Sequence, residues 1–479
     1  MKLTMLLNKR RLVFDGGTGS SLVAKGLKPG EMPETWNLLK PEEIEGLHLA
    51  YIEAGADIIK TNTFGAYSFK LGDRQKETVV AALDCAERAI RKSGREVLTA
   101  LDVGPLGKLL EPFGETSFDE AVGYFKELIT IGKDRADLIL IETMNDLYEI
   151  KAAVVAAKEC SDLPIAVTVA LDERGRLLTG ADVETVVTFL EGIGVTALGV
   201  NCGFGPKAVK PFVEKMVALA TVPVIANPNA GLPQQINGRA VYSLTAEDYA
   251  AEIGAILAAG ASLVGGCCGT TPAHIGAIAD TVKSEAPLCP KPVCRTALTS
   301  FRKTVTLSED AVLLGARLDP AYAPAMAEYL EEGDTDAIVD ECLDEACEVD
   351  VISLSAIHDG VSEKTVLPAL IPAIQEMTDL PLMLKVKSTE ALRTALRLYN
   401  GKAMVMPLGT LAEAFPVIAE YGAVAVIPSD DRKEVLTLAA QCGIRKEDLV
   451  FLSASGEAGL SLIPEEGEDA LFSMTLIPA

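Results

Sequence analysis

Eight times between residues 11 and 285 a short β-rich apolar run gives way to a helix-length amphipathic stretch, and that alternation leaves few folds open to the chain. The runs are RLVFDG (11–16), ADIIKTNTF (56–64), VLTALDVG (97–104), ADLILIET (136–143), LPIAVTVAL (163–171), ALGVNCG (197–203), VPVIANP (222–228) and ASLVGGCC (261–268). Parallel strands need a crossover between them, usually a helix, so repeated alternation builds a parallel sheet flanked by helices. Eight units in a segment of roughly this length fit a closed (β/α)₈ barrel. Stretches such as PEEIEGLHLAYIEAG (41–55) and TAEDYAAEIGAILAAG (245–260) supply the helices, opening at Pro or Thr and closing at Gly.

In such a barrel the chemistry sits at the carboxyl ends of the strands. Cys202 ends the sixth run, and Cys267 and Cys268 end the eighth, so three thiols separated in sequence converge on one rim. Neighbours on an extended strand point to opposite faces, and an adjacent pair reaches one metal only where the strand has ended and the backbone curls. Gly265, Gly266 and Gly269 permit that curl. Free cysteine also packs as a small apolar residue, but a core strand gains nothing from glycines on both sides of two thiols. Three thiolates leave a tetrahedral zinc one open position, the arrangement of a catalytic site. A sulfur substrate can fill it.

At 479 residues the chain exceeds one ordinary core, and two domains are expected. Hydrophobic residues make up 49%, yet no uncharged apolar stretch reaches the roughly 18 residues of a membrane span. The start, MKLTMLLNKRR, carries its charges after a very short apolar run and has no cleavage site. Ten cysteines then read as metal or packing thiols rather than a disulfide framework, and the expectation is a cytoplasmic protein. A formal net charge of -25 opposes contact with nucleic acid or an anionic membrane. That leaves a small molecule or a protein partner, a second copy of the chain included.

The stretch 284–303 holds three prolines and reads as a linker. Six further runs follow: AVLLGA (311–316), VDVISLSA (349–356), LPLMLKV (380–386), AMVMPL (403–408), AVAVIP (423–428) and LVFLSA (449–454). An acidic EEGED (465–469) comes after them. The expected division is therefore a barrel over 1–285, a linker over 286–303, and an incomplete barrel-like α/β domain over 304–479. Its sheet is expected to stay open, with an edge that a partner or second copy covers.

Seven colinear motifs, DGGTGS (15–20), TNTFGA (61–66), DVGPLGKLLEP (102–112), LILIETMNDL (138–147), VNCGFGP (200–206), NPNAGLP (227–233) and GGCCGTTPAHI (265–275), run through nearly all of the first half. It resembles the homocysteine-binding domain of the homocysteine S-methyltransferase family, which includes the amino-terminal module of cobalamin-dependent methionine synthase. The resemblance implies that Cys202, Cys267 and Cys268 bind zinc and that the sulfur of homocysteine joins them. A free thiol titrates near pH ~8.5, whereas a coordinating thiol is deprotonated outright, so the substrate would be held ready to attack a methyl group. Glu142 resembles the glutamate that receives the substrate's amino group; a helix-leading acid is the alternative. Asp15 and Gly16 match the first-strand motif, where backbone approaches the amino acid. Asn229 is an oxygen ligand or a group behind the ligands, or else a turn residue.

The second half is similar, more weakly, to the pterin-binding barrel that follows the homocysteine barrel in methionine synthases, through residues 367–405 above all. The polar groups of that family do not survive: Ser353 and Ser355 stand in one strand, Lys385 in the next, and Met406, Pro407, Leu408 and Gly409 in the third. A buried polar edge left unpaired costs about 1–3 kcal/mol per group, so folate binding is not expected. The D-x-H-x-x-G element of a cobalamin module is missing too, His358 having Ala356 two residues before it. The expectation is a zinc-dependent homocysteine S-methyltransferase that forms methionine with a methyl group from a separate methyl-corrinoid protein, the corrinoid acting in trans. A small donor such as S-methylmethionine or betaine is the second reading. A non-catalytic homocysteine- or zinc-binding regulator is the third.

Overall fold

The computed structural model describes residues 2–236, 239–288, 290, 295–307, 312–428, 432–452, 459–462 and 470–477. The chain forms two compact units, Met1–Thr179 with Val195–Pro292, and Gly180–Gly194 with Val293–Ala479. The boundary at residues 292 and 293 lies inside the expected linker, but the linker itself is shorter than expected. Residues 289 and 291–294 fall outside the described residues, and Thr296–Thr299 is a strand. The segment 180–194, which chain order gives to the first barrel, groups with the second unit. Its helix Val183–Gly192 has Glu184 paired with Arg295 at 2.5 Å and Thr185 bonded to Thr304 at 3.0 Å.

All eight expected runs of the first unit form strands: β1 (Leu12–Val13), β2 (Ile58–Lys60), β3 (Leu98–Val103), β4 (Leu138–Met144), β5 (Ile165–Val169), β6 (Ala197–Asn201) and β7 (Val224–Asn227), then a short hairpin of β8 (Gln234–Ile236) and β9 (Arg239–Val241), and β10 (Leu263–Val264). The barrel order is β1-β10-β7-β6-β5-β4-β3-β2, with every pairing parallel. A parallel bridge from Phe14 to Ile58 joins the first strand to the last of that order. Strands buried on both faces carry near-continuous apolar runs, which is why the sequence marks them so clearly. The interior holds Phe14, Ile58, Leu98, Ala100, Leu138, Leu140 and Ile225, and Leu3 and Leu7 of the helix Lys2–Leu7 pack into the same cluster. That helix stops the amino-terminal end of the barrel. Among the described residues no helix is long and apolar enough to cross a membrane.

The second unit opens with an antiparallel hairpin of β11 (Thr296–Thr299) and β12 (Thr304–Leu307). Its Leu298, Val305 and Leu307 pack among Val312, Val351, Met383 and Met404. The six expected runs follow as β13 (Val312–Gly315), β14 (Val351–Ser355), β15 (Leu382–Val386), β16 (Met404–Pro407), β17 (Val424–Ile427) and β18 (Leu449–Leu452), all parallel. As a (β/α)₈ fold the domain is incomplete, with six parallel units. Its sheet, however, is not open. Two more strands, β19 (Gly459–Leu462) and β20 (Ala470–Ile477), form an antiparallel hairpin that pairs with β18 on one side and β13 on the other, closing the ring. A bare strand edge presents unpaired N–H and C=O groups, and here the chain's own hairpin satisfies them. The acidic stretch 465–469 lies outside the described residues.

Candidate metal centre

The thiols are built by two abrupt departures from strand geometry. β6 ends at Asn201, and Cys202 takes φ +60, a left-handed conformation uncommon for any residue but Gly. Its N–H donates to the Asn227 carbonyl at 3.1 Å, and its own carbonyl accepts from Phe204 at 2.8 Å. Beyond β10 the backbone is laced to both neighbouring strands as it turns: Gly265 donates to Ala226, Gly266 to Asp15 and Cys267 to Pro228, at 3.2, 3.0 and 2.9 Å. A Cβ on Gly266 would lie 2.3 Å from Thr270 Oγ1, and Gly269 sits at φ +81 with the Tyr242 ring 2.2 Å from any added Cβ. Thr270 locks the turn by donating from N–H and Oγ1 to the Cys267 carbonyl, at 3.1 and 2.7 Å.

The result brings the Sγ atoms of Cys202, Cys267 and Cys268 all within 4.8 Å of one another. Cys202 and Cys268 are 3.9 Å apart, and all three are free thiols. A disulfide needs about 2.05 Å. Two sulfurs on a tetrahedral zinc at ~2.3 Å stand about 3.8 Å apart, so the donors fit a metal with little rearrangement. For Cys202, contact with Cys267 lowers the pKa while contact with Cys268 and burial raise it further, to about 11. Cys268 also stands at about 11, and Cys202 together with burial pushes Cys267 higher still. Left to themselves the three stay protonated at neutral pH, and a cation is what would ionise them.

Beside the thiols the barrel interior turns polar. Interior positions recur every second residue. Two residues beyond the apolar Ile58, Ala100, Leu140, Ala166 and Ile225 come Lys60, Asp102, Glu142, Thr168 and Asn227, and Asn201 stands four beyond Ala197. Glu142 is placed by a bulge: the β4–β5 register shifts between Ile141 and Met144, and Thr143 has φ +62, an outlier for a β-branched residue. Asn201 pins the irregularity. Its Oδ1 accepts from Thr143 N–H and Thr168 Oγ1 at 2.8 and 2.9 Å, and its Nδ2 donates to Thr143 Oγ1 at 2.7 Å. The same Nδ2 lies 3.9 Å from Cys267 Sγ.

Of the residues singled out in the sequence, the three cysteines, Asp15, Glu142 and Asn229 gather at this rim. Glu142 does not stand alone: Lys60 Nζ lies 3.5 and 3.4 Å from its two oxygens and 3.9 Å from Asp15 Oδ1. Asp15 Oδ2 accepts from the Lys60 backbone N–H at 2.9 Å. Burial raises Asp15 to about 7 and holds Asp102 well above the carboxylate range. Burial opposes the Lys60 charge, but Glu142 and Asp15 outweigh it and hold that ammonium firmly protonated. Asn229 is buried with no hydrogen-bond partner on Oδ1, among the described residues. At Gly16 a Cβ would meet Thr270 Oγ1 at 2.7 Å and the Tyr51 hydroxyl at 2.8 Å, so close packing within the protein also calls for glycine there. Lys60, Asp102, Asn201 and Asn227 are rim residues that the sequence reading passed over.

Residues 12–282 match the family model described as homocysteine S-methyltransferase. The chain is 29% identical over 472 residues to methionine synthase of Mycobacterium tuberculosis (strain ATCC 25618 / H37Rv), a match covering 89% of this chain and 39% of that protein. It is 26% identical over 469 residues to methionine synthase of Mycobacterium leprae (strain TN), covering 89% and 38%. The chain thus spans about two fifths of the length of these curated relatives. The crystal structure of the homocysteine methyltransferase MmuM from Escherichia coli, metallated form, is similar with a TM-score of 0.51 at 25% identity, covering 59% of this chain and 100% of that one.

Proposed function

The chain belongs to the homocysteine S-methyltransferase family, and from that premise we propose that it is a zinc-dependent enzyme that methylates homocysteine to methionine. One observation carries the reading: three thiols within 4.8 Å of one another at the carboxyl rim of the family-matched barrel. Cys202, Cys267 and Cys268 would hold the metal, which when bound supplies the charge that keeps a coordinating thiol deprotonated at neutral pH, with no redox chemistry of its own. Glu142, held by its bulge, offers a carboxylate to the substrate's ammonium, and Asp15 shapes the pocket beside it. Asn229 presents an oxygen near the thiols, its neighbour Ala230 donating to the Cys268 carbonyl at 3.0 Å. The apolar barrel interior and the helix Lys2–Leu7 keep water from entering from below.

Residues 304–479 are proposed as a pterin-binding-like domain that no longer takes folate. At the carboxyl end of its interior stand Ser353, Ser355 and Met406, with Lys385 paired to Asp319 at 2.5 Å. The methyl group is proposed to come from a methyl-corrinoid carried on a protein domain outside these 479 residues. The test combines metal analysis with methyl transfer. Zinc content should be about one per chain and fall with activity in each Cys→Ala variant, and methionine should form with a methylated corrinoid protein but not with methyltetrahydrofolate alone. Full zinc in all three variants would sink the ligand assignment, and turnover from methyltetrahydrofolate alone would sink the donor assignment.

A further inference from the structure

Lys60 and Glu142 are buried opposed charges at the rim, their side chains 4% and 6% exposed, and nothing in the proposed metal chemistry uses the lysine. Their separations of 3.4 and 3.5 Å are longer than the roughly 2.7–2.9 Å of a tight charge-assisted hydrogen bond. The ammonium is shared between carboxylates rather than committed to one. Its backbone is fixed, because Asp15 Oδ2 takes the Lys60 N–H at 2.9 Å.

We propose that this pair is the receptor for a zwitterion: the substrate's ammonium takes Glu142 and its carboxylate takes Lys60, the two residues exchanging each other for the two ends of an α-amino acid. The inference rests on the transferase reading and names the part of it that selects the substrate. Charge balance supports it. Burial raises Asp15 to about 7 and holds Asp102 well above the carboxylate range, so both keep a proton more readily than an ordinary carboxyl and the Lys60–Glu142 pair is the opposed pair of charges the pocket offers. A ligand of zero net charge with separated ends fits that balance. A thiol with only one charged end would part Lys60 from Glu142 and give one of the two nothing in exchange. Asp15 Oδ1 and Asp102 Oδ1 are buried without hydrogen-bond partners among the described residues, and a protonated carboxyl at either position can donate to the arriving carboxylate.

The test is calorimetric titration of the zinc-loaded full chain with homocysteine, with aminopropanethiol, which lacks the carboxylate, and with mercaptobutyrate, which lacks the ammonium. Wild type should prefer homocysteine to each truncated thiol by about tenfold or more, the scale of a lost charge-assisted hydrogen bond. Lys60→Met should abolish the preference over aminopropanethiol, and Glu142→Gln the preference over mercaptobutyrate. Lys60→Arg, which keeps the charge, should retain it. A merely structural role would weaken all three thiols alike, and that pattern overturns the inference. So does wild type that binds aminopropanethiol as tightly as homocysteine, a result that needs no variant to fold. Wild type that binds none of the three rejects the transferase reading itself, and the inference with it.

Discussion

Asn201 joins the two irregular points of the site, holding Thr143 at its positive φ and lying against Cys267. Replacing it with Ala takes the partner from the part-buried N–H of Thr143 and from the buried hydroxyl of Thr168, and an orphaned buried group costs about 1–3 kcal/mol. Asn201→Ala should therefore lower the denaturation free energy by about that much and weaken zinc retention, read by chelator competition. His48 makes a second prediction. It is 1% exposed with no partner on either ring nitrogen among the described residues, and burial lowers its pKa to about 4. Between pH 6.5 and about 4 the unfolded chain binds a proton there that the folded chain refuses, so stability falls as pH falls, by about 1.4 kcal/mol per unit. His48→Leu should remove that loss, and the gap between variant and wild type should widen on acidification through this window. A constant gap in pH-dependent urea melts would contradict it. At this scale the cysteines were legible because glycines flank them, which a core strand does not explain. Lys60, Asp102, Asn201 and Asn227 were not, since each sits inside or at the end of an apolar run and looks like strand. Counting by twos from the apolar residues of the same strands would have pointed all four inward.

The elements followed the apolar runs where crossover helices separate them, and failed where they do not. Every one of the fourteen runs became a strand, because a parallel strand needs both an apolar sequence and a helix to return the chain. Hairpins need neither. β11 hid in a proline-containing stretch taken for a linker, with β12 just beyond it, and β20 hid in ALFSMTLI, which no helix pattern follows. The helix Lys2–Leu7 was weighed only as a leader sequence, whereas its Leu3 is fully buried in the barrel interior. Truncating a buried leucine costs about 2–5 kcal/mol, the spread reflecting how far the site collapses. Leu3→Ala should fall in that range by chemical denaturation while Met5→Ala, at a position 55% exposed, changes little. Equal effects from the two would show that the helix does not seat as described.

For the whole molecule, two α/β units were legible from the count of runs alone, and the mixed closure of the second was not. An edge that looks bare in a parallel count can be capped by a hairpin from the same chain, so an unfinished repeat does not imply an unfinished sheet. Likewise the grouping of Gly180–Gly194 with the second unit follows from tertiary packing that sequence order conceals. What ties these parts to function is the first barrel: its amino-terminal end stopped by a helix, its carboxyl rim carrying three thiols beside a buried Lys60–Glu142 pair. The most direct test of that account is zinc K-edge X-ray absorption on the zinc-loaded protein, before and after homocysteine is added. The account predicts three sulfur neighbours at about 2.3 Å in the first state and four in the second. A sulfur count that stays unchanged on adding homocysteine, or a first state with fewer than three, would contradict it.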